Sequence, residues 1–179
     1  MRKNKKESFI ESIKRRDPAA RNALQIILTY PGVKALIRYR IAHFFYCKLH
    51  LRLIGELIAY WARKRTGIEI HPASKIGKHL FIDHGFGIVI GETAVIGDNC
   101  TLYHGVTLGA LASKTILGKR HPTIGSGVML GANSTILGPV VIGDNAKIGA
   151  DALVIADVEP GEVVKAKPAK QKSYKLSPR

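Results

Sequence analysis

Two hydrophobic periods divide the chain. Up to about residue 65, apolar positions recur three and four apart. Val33, Leu36, Ile37, Ile41, Phe44 and Phe45 form one set; Ile54, Leu57, Ile58 and Trp61 form another. Such spacing lines one face of an α-helix. Asp17-Pro18 reads as a helix start, with an acid at the cap and proline at the first helical position. Pro31-Gly32 reads as an interruption. The pattern predicts helices near 18–30, 33–47 and 51–65.

After Thr66 the period becomes six. Ile70, Ile76, Ile82, Ile90, Ile96, Leu102, Leu108, Ile124, Leu130, Ile136, Ile142, Ile148 and Val154 are the anchors, and glycine follows eight of them. Neither a helix nor an alternating strand repeats every six residues. A solenoid does: each short strand turns one aliphatic inward, and a small residue permits the tight corner. Stacked coils then bury a continuous aliphatic column. Thirteen anchors at three per coil predict just over four coils. The spacing breaks twice, by eight residues between Ile82 and Ile90 and by sixteen between Leu108 and Ile124. The second break predicts an extruded loop at about 110–121. Breaks in a regular scaffold are where function tends to sit.

Charge follows the same division. Residues 1–65 hold 16 basic and 4 acidic side chains, residues 66–160 hold 6 and 8, and residues 161–179 hold 6 and 1. The solenoid body is therefore near neutral between basic ends, which mostly suits solvated faces. No nucleic-acid motif accompanies the charge. The longest stretch without Lys, Arg, Asp or Glu, His121–Gly143, contains Pro122, Pro139 and several glycines and is no membrane span. Neither a nucleic acid nor a membrane is an expected partner. The charged N-terminus lacks the apolar stretch of a secretory leader. Two cysteines, Cys47 and Cys100, make no disulfide scaffold and fit a reducing, cytoplasmic setting.

Candidate chemistry gathers at the start of the solenoid and at its breaks, in Gly67–Pro72, Phe81–Gly85 and Gly118–Pro122. His84 follows an inward anchor and precedes a glycine at the first break. Glu69 lies fifteen residues earlier, a spacing that predicts it beside His84 in the adjacent layer. A histidine paired with a carboxylate is what a general base needs. Free imidazole titrates at about 6.5 and so accepts a proton at neutral pH. A carboxylate on the far nitrogen fixes the tautomer and stabilises the imidazolium.

The strings RDPAARNAL, YPGVKALIRYRIAHFFY, TGIEIHP, FIDHGFGIVIGETAVIGDN, GVTLG, GKRHPTIG and IGDNAKIGA resemble the serine O-acetyltransferase family over nearly the whole chain. The resemblance implies a mainly β fold: a left-handed parallel β-helix of hexapeptide repeats over residues 66–160, preceded by a small α-helical N-terminal region over 1–65. A basic tail over 161–179 follows. It implies transfer of an acetyl group from acetyl-CoA to the hydroxyl of L-serine, for cysteine biosynthesis, with no metal. His84 matches the general base and Glu69 the orienting carboxylate. Asp17, Asp83, Arg120 and His121 match positions that hold the amino-acid substrate, and His121 equally suits the oxyanion. Gly109, Ala110 and Ala132 fall where the pantetheine arm of acetyl-CoA lies. A homotrimer with sites between neighbouring solenoids is implied, with a hexamer second. The family's LGGTG string reads Leu108-Gly-Ala here, and the following loop is longer. The tail ends in Arg179, whereas members that dock into O-acetylserine sulfhydrylase end in isoleucine, so that complex is not expected.

Other readings compete. The same solenoid supports acetyl transfer to a sugar or another amino acid, which the altered loop favours. A metal lyase of the carbonic-anhydrase type needs three converging histidines, such as His71, His84 and His104. A nucleic-acid scaffold draws on the basic ends.

Overall fold

The computed structural model describes residues 7–111 and 118–167. Four α-helices come first: α1 (Phe9–Arg16), α2 (Ala23–Thr29), α3 (Pro31–His43) and α4 (Arg52–Thr66), with a π-helical turn at Phe44–Lys48. Fourteen short strands follow: β1 (Glu69–Ile70), β2 (Lys75–Ile76), β3 (Phe81–Ile82), β4 (Val89–Ile90), β5 (Val95–Ile96), β6 (Thr101–Leu102), β7 (Thr107–Gly109), β8 (Thr123–Ile124), β9 (Met129–Leu130), β10 (Thr135–Leu137), β11 (Val141–Ile142), β12 (Lys147–Ile148), β13 (Leu153–Val154) and β14 (Val163–Val164).

Every one of the thirteen anchors lies in a strand and is buried. The strands form three parallel sheets. The first holds β1, β4, β7, β10 and β13; the second β2, β5, β8 and β11; the third β3, β6, β9, β12 and β14. Register stacks anchor on anchor, as in Ile70↔Ile90, Ile90↔Leu108, Leu108↔Ile136 and Ile136↔Val154. Each coil thus adds three aliphatics to three columns, and burying each is worth roughly 1.5–3 kcal/mol. A second inward position lies two residues before each anchor. It holds Ile68, Leu80, Ile88, Val106 and Val128, and elsewhere the smaller Ser74, Ala94, Cys100, Ser134 and Ala146. The bridge Ile142↔Val158 and strand β14 complete a fifth turn, where just over four coils and a boundary at residue 160 were expected from sequence. Residues 168–179, with the tail's end, and 112–117, with most of the expected loop, lie outside the described residues.

Coils approach closely at the corners after the second sheet. A methyl group on Gly97 would stand 2.7 Å from Gly125 C and Ser126 N, and one on Gly77 would stand 2.7 Å from Gly97 C. At Gly97 only backbone is met, and at Gly77 backbone together with the Asp98 carboxylate, so neither can yield cheaply. Gly97→Ala is expected to cost about 1–3 kcal/mol by overpacking, or a fall in Tm of about 2–12 °C in calorimetry. An unchanged Tm would contradict this contact.

Helices cover the first coil, whose outer strand edges would otherwise be bare. Ala35, Leu36 and Tyr39 share one core with the solenoid aliphatics. The Tyr39 hydroxyl donates to Ser74 O at 2.6 Å, and the Arg40 guanidinium donates to Ile76 O and Gly77 O at 2.8 and 2.6 Å. Arg16 fastens α1 to a corner, donating to His79 O (2.6 Å) and Cys100 O (2.9 Å).

The helix boundaries differ from those predicted. Asp17-Pro18 does not start a helix. Asp17 ends α1 as its C-cap, with φ −125° and ψ 107°. Its carboxylate accepts from the Ala19 N–H at 2.8 Å. That local bond competes with helix formation and turns the chain. Asn22 caps α2 instead, its side chain accepting from Gln25 N. Helix α1 itself was not predicted. Its signal was present: Ser8 and Glu11 form a reciprocal capping box.

Candidate active site

At the corner from β3 to β4 the chain leaves the third sheet for the first. His84 adopts φ +58° there, followed by Gly85 at +79°. A side chain on Gly85 would strike Ile68 Cδ1 and Ile82 Cγ2 at 2.6–2.7 Å, so only glycine fits. The turn leaves the His84 side chain 76% exposed. Its ring packs edge-on to His104 with centroids 6.1 Å apart. A cleft of about 600 Å³ opens beside it, lined among others by Asp17, Tyr30, Asp83, His84 and Phe86.

The helical region supplies the opposite wall. Tyr30 donates its hydroxyl to Asp17 Oδ2 at 2.5 Å. Burial, then the Asp17 carboxylate, pushes the Tyr30 phenol up to about 12, so it keeps its proton. Asp17 thus presents a fixed carboxylate to a cleft that also holds Asp83. Two acids there attract a cation such as an ammonium group. Tyr30 was not singled out from sequence. Its one local signal is its place before the Pro31-Gly32 break.

Glu69 does not contact His84. Its Oε2 lies 3.0 Å from Arg63 Nη1 of α4. The carboxylate nearest His84 is Asp83, with Oδ1 3.8 Å from Nε2, longer than a hydrogen bond. The spacing argument fails because it took no account of α4, which brings a cation to β1. Phe86 lines both the His84 cleft and the neighbouring cleft that contains Glu69.

Arg120 and His121 lie elsewhere. They lead from β7 into β8, at the corner between the first and second sheets, where Glu92 and Thr93 form the coil below. Arg120 Nη2 pairs with Glu92 Oε2 at 2.9 Å. His121 is 8% exposed. Burial, then the Arg120 charge, holds its imidazole below the usual histidine range, so it is neutral at pH 7. Gly109 ends β7 opposite Leu137, and Ala110 follows it. Ala132 lies at the β9–β10 corner, in the same row of corners as His84 and His104; the Asn133 N–H donates to His104 O at 2.9 Å. Apart from Glu69, the predicted residues therefore fall into two groups on different corners: Asp17, Asp83, His84 and Ala132 on one, Gly109, Ala110, Arg120 and His121 on the other.

Among the described residues, no group of three His, Cys, Asp or Glu stands close enough to hold a metal ion. Instead of joining His84 and His104, His71 accepts the Ala73 N–H on its Nδ1 and packs against Tyr46.

The chain is similar in sequence and fold to known proteins. The bacterial transferase hexapeptide family (six repeats) matches residues 121–156, and the hexapeptide repeat of succinyl-transferase matches residues 87–111. A serine acetyltransferase of Helicobacter pylori is 48% identical over 161 residues, covering 90% of this chain and 92% of that protein. The crystal structure of Neisseria gonorrhoeae serine acetyltransferase in complex with serine is 41% identical with a TM-score of 0.83, over 90% of this chain and 65% of that one. The Brucella abortus serine acetyltransferase structure in complex with coenzyme A is 36% identical with a TM-score of 0.84, over 90% of this chain and 64% of that one. The solenoid is thus a left-handed parallel β-helix. With nearly half its residues in common with the H. pylori protein and its fold in common with solved serine acetyltransferases, the chain belongs to the serine acetyltransferase family.

Proposed function

We propose that this protein transfers the acetyl group of acetyl-CoA to the hydroxyl of L-serine, giving O-acetyl-L-serine and CoA for cysteine biosynthesis. One observation carries the reading: an exposed imidazole, His84, shares a cleft with two carboxylates, Asp17 and Asp83. Asp17, held by Tyr30, and Asp83 take the serine ammonium. Arg120 takes the carboxylate with its planar fork. The serine hydroxyl, a poor nucleophile, gives its proton to His84 as its oxygen bonds to the thioester carbon. The tetrahedral oxyanion collapses, the C–S bond breaks, and the imidazolium returns the proton to the departing sulfur. Glu69 orients His84 after exchanging Arg63 for the imidazole. Both partners of that pair are about half exposed, so breaking it costs at most about 1 kcal/mol.

The two half-sites meet between protomers. We infer a homotrimer in which the His84 corner of one solenoid faces the Arg120 corner of the next, with a hexamer as the second possibility. Gly109, Ala110 and Ala132 line the seam for the pantetheine arm. We infer a cytoplasmic location, a reducing setting that suits the two free thiols, Cys47 and Cys100. No helix of the described residues is long and apolar enough to cross a membrane.

A thiol-release assay with acetyl-CoA and a panel of acceptors tests this. CoA release is expected to require L-serine and to be slower with homoserine and sugars. Preference for a sugar would replace serine with another acceptor on the same fold.

A further inference from the structure

The corner that holds His121 is built around one hydroxyl. Thr93 Oγ1 lies 3.0 Å from both the Arg120 N–H and the His121 N–H, and 2.8 Å from His121 Nδ1. The two backbone donors occupy both lone pairs of the hydroxyl, so its own hydrogen is left to point at Nδ1. The Thr93 backbone N–H also donates to Nδ1, at 3.2 Å. A nitrogen facing two donors carries no proton. Burial and the Arg120 charge disfavour the imidazolium, and Lys119 and His71 act in the same direction; Glu92 alone opposes them.

The other ring nitrogen is free. Nε2 has no hydrogen-bond partner among the described residues. Its edge lies against the bare backbone of Gly91, where a methyl group would come within 2.1 Å of Nε2 and Cδ2. The Gly91-Glu92-Thr93 turn is therefore a cradle that leaves room for the ring and fixes which way its proton faces.

We propose that Thr93 is a positioning residue that locks His121 as the neutral tautomer with its proton on Nε2, so that His121 offers one uncharged donor to an anionic oxygen. That oxygen is either the acceptor carboxylate or the oxyanion formed from the thioester carbonyl. Only this last role rests on the acetyltransferase reading; the tautomer does not.

The test is nitrogen NMR of the full-length protein labelled in its histidine rings, with Thr93→Val and Thr93→Ser alongside. In wild type at neutral pH, His121 is expected to show an unprotonated Nδ1 and a protonated Nε2. Thr93→Val, nearly the same shape, keeps only the longer backbone donor on Nδ1 and is expected to show a mixture of the two neutral tautomers while the other histidines keep their signals; Thr93→Ser is expected to retain the wild-type signature. A wild-type Nδ1–H or imidazolium signal, or an unaltered spectrum in Thr93→Val, would overturn the proposal. In the acetyl-transfer assay, Thr93→Val is expected to lose about 10- to 100-fold in kcat/KM, with rescue by serine. Loss in kcat assigns the donor to the oxyanion, and a rise in the serine KM assigns it to the carboxylate. Activity equal to wild type would refute a positioning role even with the tautomer confirmed. Absence of serine turnover in wild type would leave the NMR result standing and sink only the acetyltransferase reading.

Discussion

His84→Ala is expected to lower kcat for acetyl transfer by about 10²- to 10⁴-fold, the usual contribution of a positioned general base. Stability should barely change. The side chain is 76% exposed and makes no hydrogen bond among the described residues, so its removal opens no cavity. The left-handed φ of +58° at this position favours the exchange no more than histidine does, a small and local strain. Binding should survive too, because Asp17, Tyr30 and Asp83 still line the cleft. The measurement is steady-state kinetics with a thiol reagent, beside a thermal melt. Near-normal kcat in a folded variant would remove His84 from the chemistry and with it the proposed mechanism.

A recovery of activity is expected from mixing two impaired chains. Within one protomer, His84 sits where the third sheet meets the first, and Arg120 where the first meets the second. If each site combines one corner from each of two neighbours in a closed ring, His84→Ala damages one half-site and Arg120→Ala the other. Arg120→Ala alone should lose about 10-fold or more, by removing a charged partner of the acceptor. Random co-assembly at equal amounts gives about one quarter of sites with both halves intact. Co-expressed variants should therefore reach roughly a quarter of wild-type activity, far above the His84→Ala chain. Activity no higher than the mean of the separate variants would mean that each protomer carries a complete site, and the proposed trimer arrangement would fall.

Sequence made the solenoid legible because its physics is local and repeated. An anchor such as Leu130 must be aliphatic, since it stacks between Leu102 and Ile148, and the step of six is set by strand plus corner. The second inward position was not legible. Leu80, Cys100 and Ala146 all satisfy it, because the space near a corner accepts several volumes and leaves no single residue type to recognise. The helical region was read less well. The carboxylate of Asp17 accepts from Ala19 just ahead of it in a turn and from Tyr30, a partner thirteen residues away that no periodicity reveals. The site was half legible for the same reason. His84 announces itself by its place before Gly85 at a break in the repeat. The Arg63 partner of Glu69 and the Thr93 partner of His121 come from other elements, and only the packed chain brings them together.

Pairing of β5 with β8 is uninterrupted although the step between anchors widens from six residues to sixteen between Leu108 and Ile124: Val95 still faces Thr123 and Ile96 still faces Ile124. Lengthening such a connection costs only the slowly growing entropy of closing it, about 0.6 kcal/mol for each doubling. Chemistry at the corner can thus drift, by insertion or trimming, while the stack beneath it is inherited unaltered, and new acceptors become reachable in lineages that never have to rebuild their scaffold.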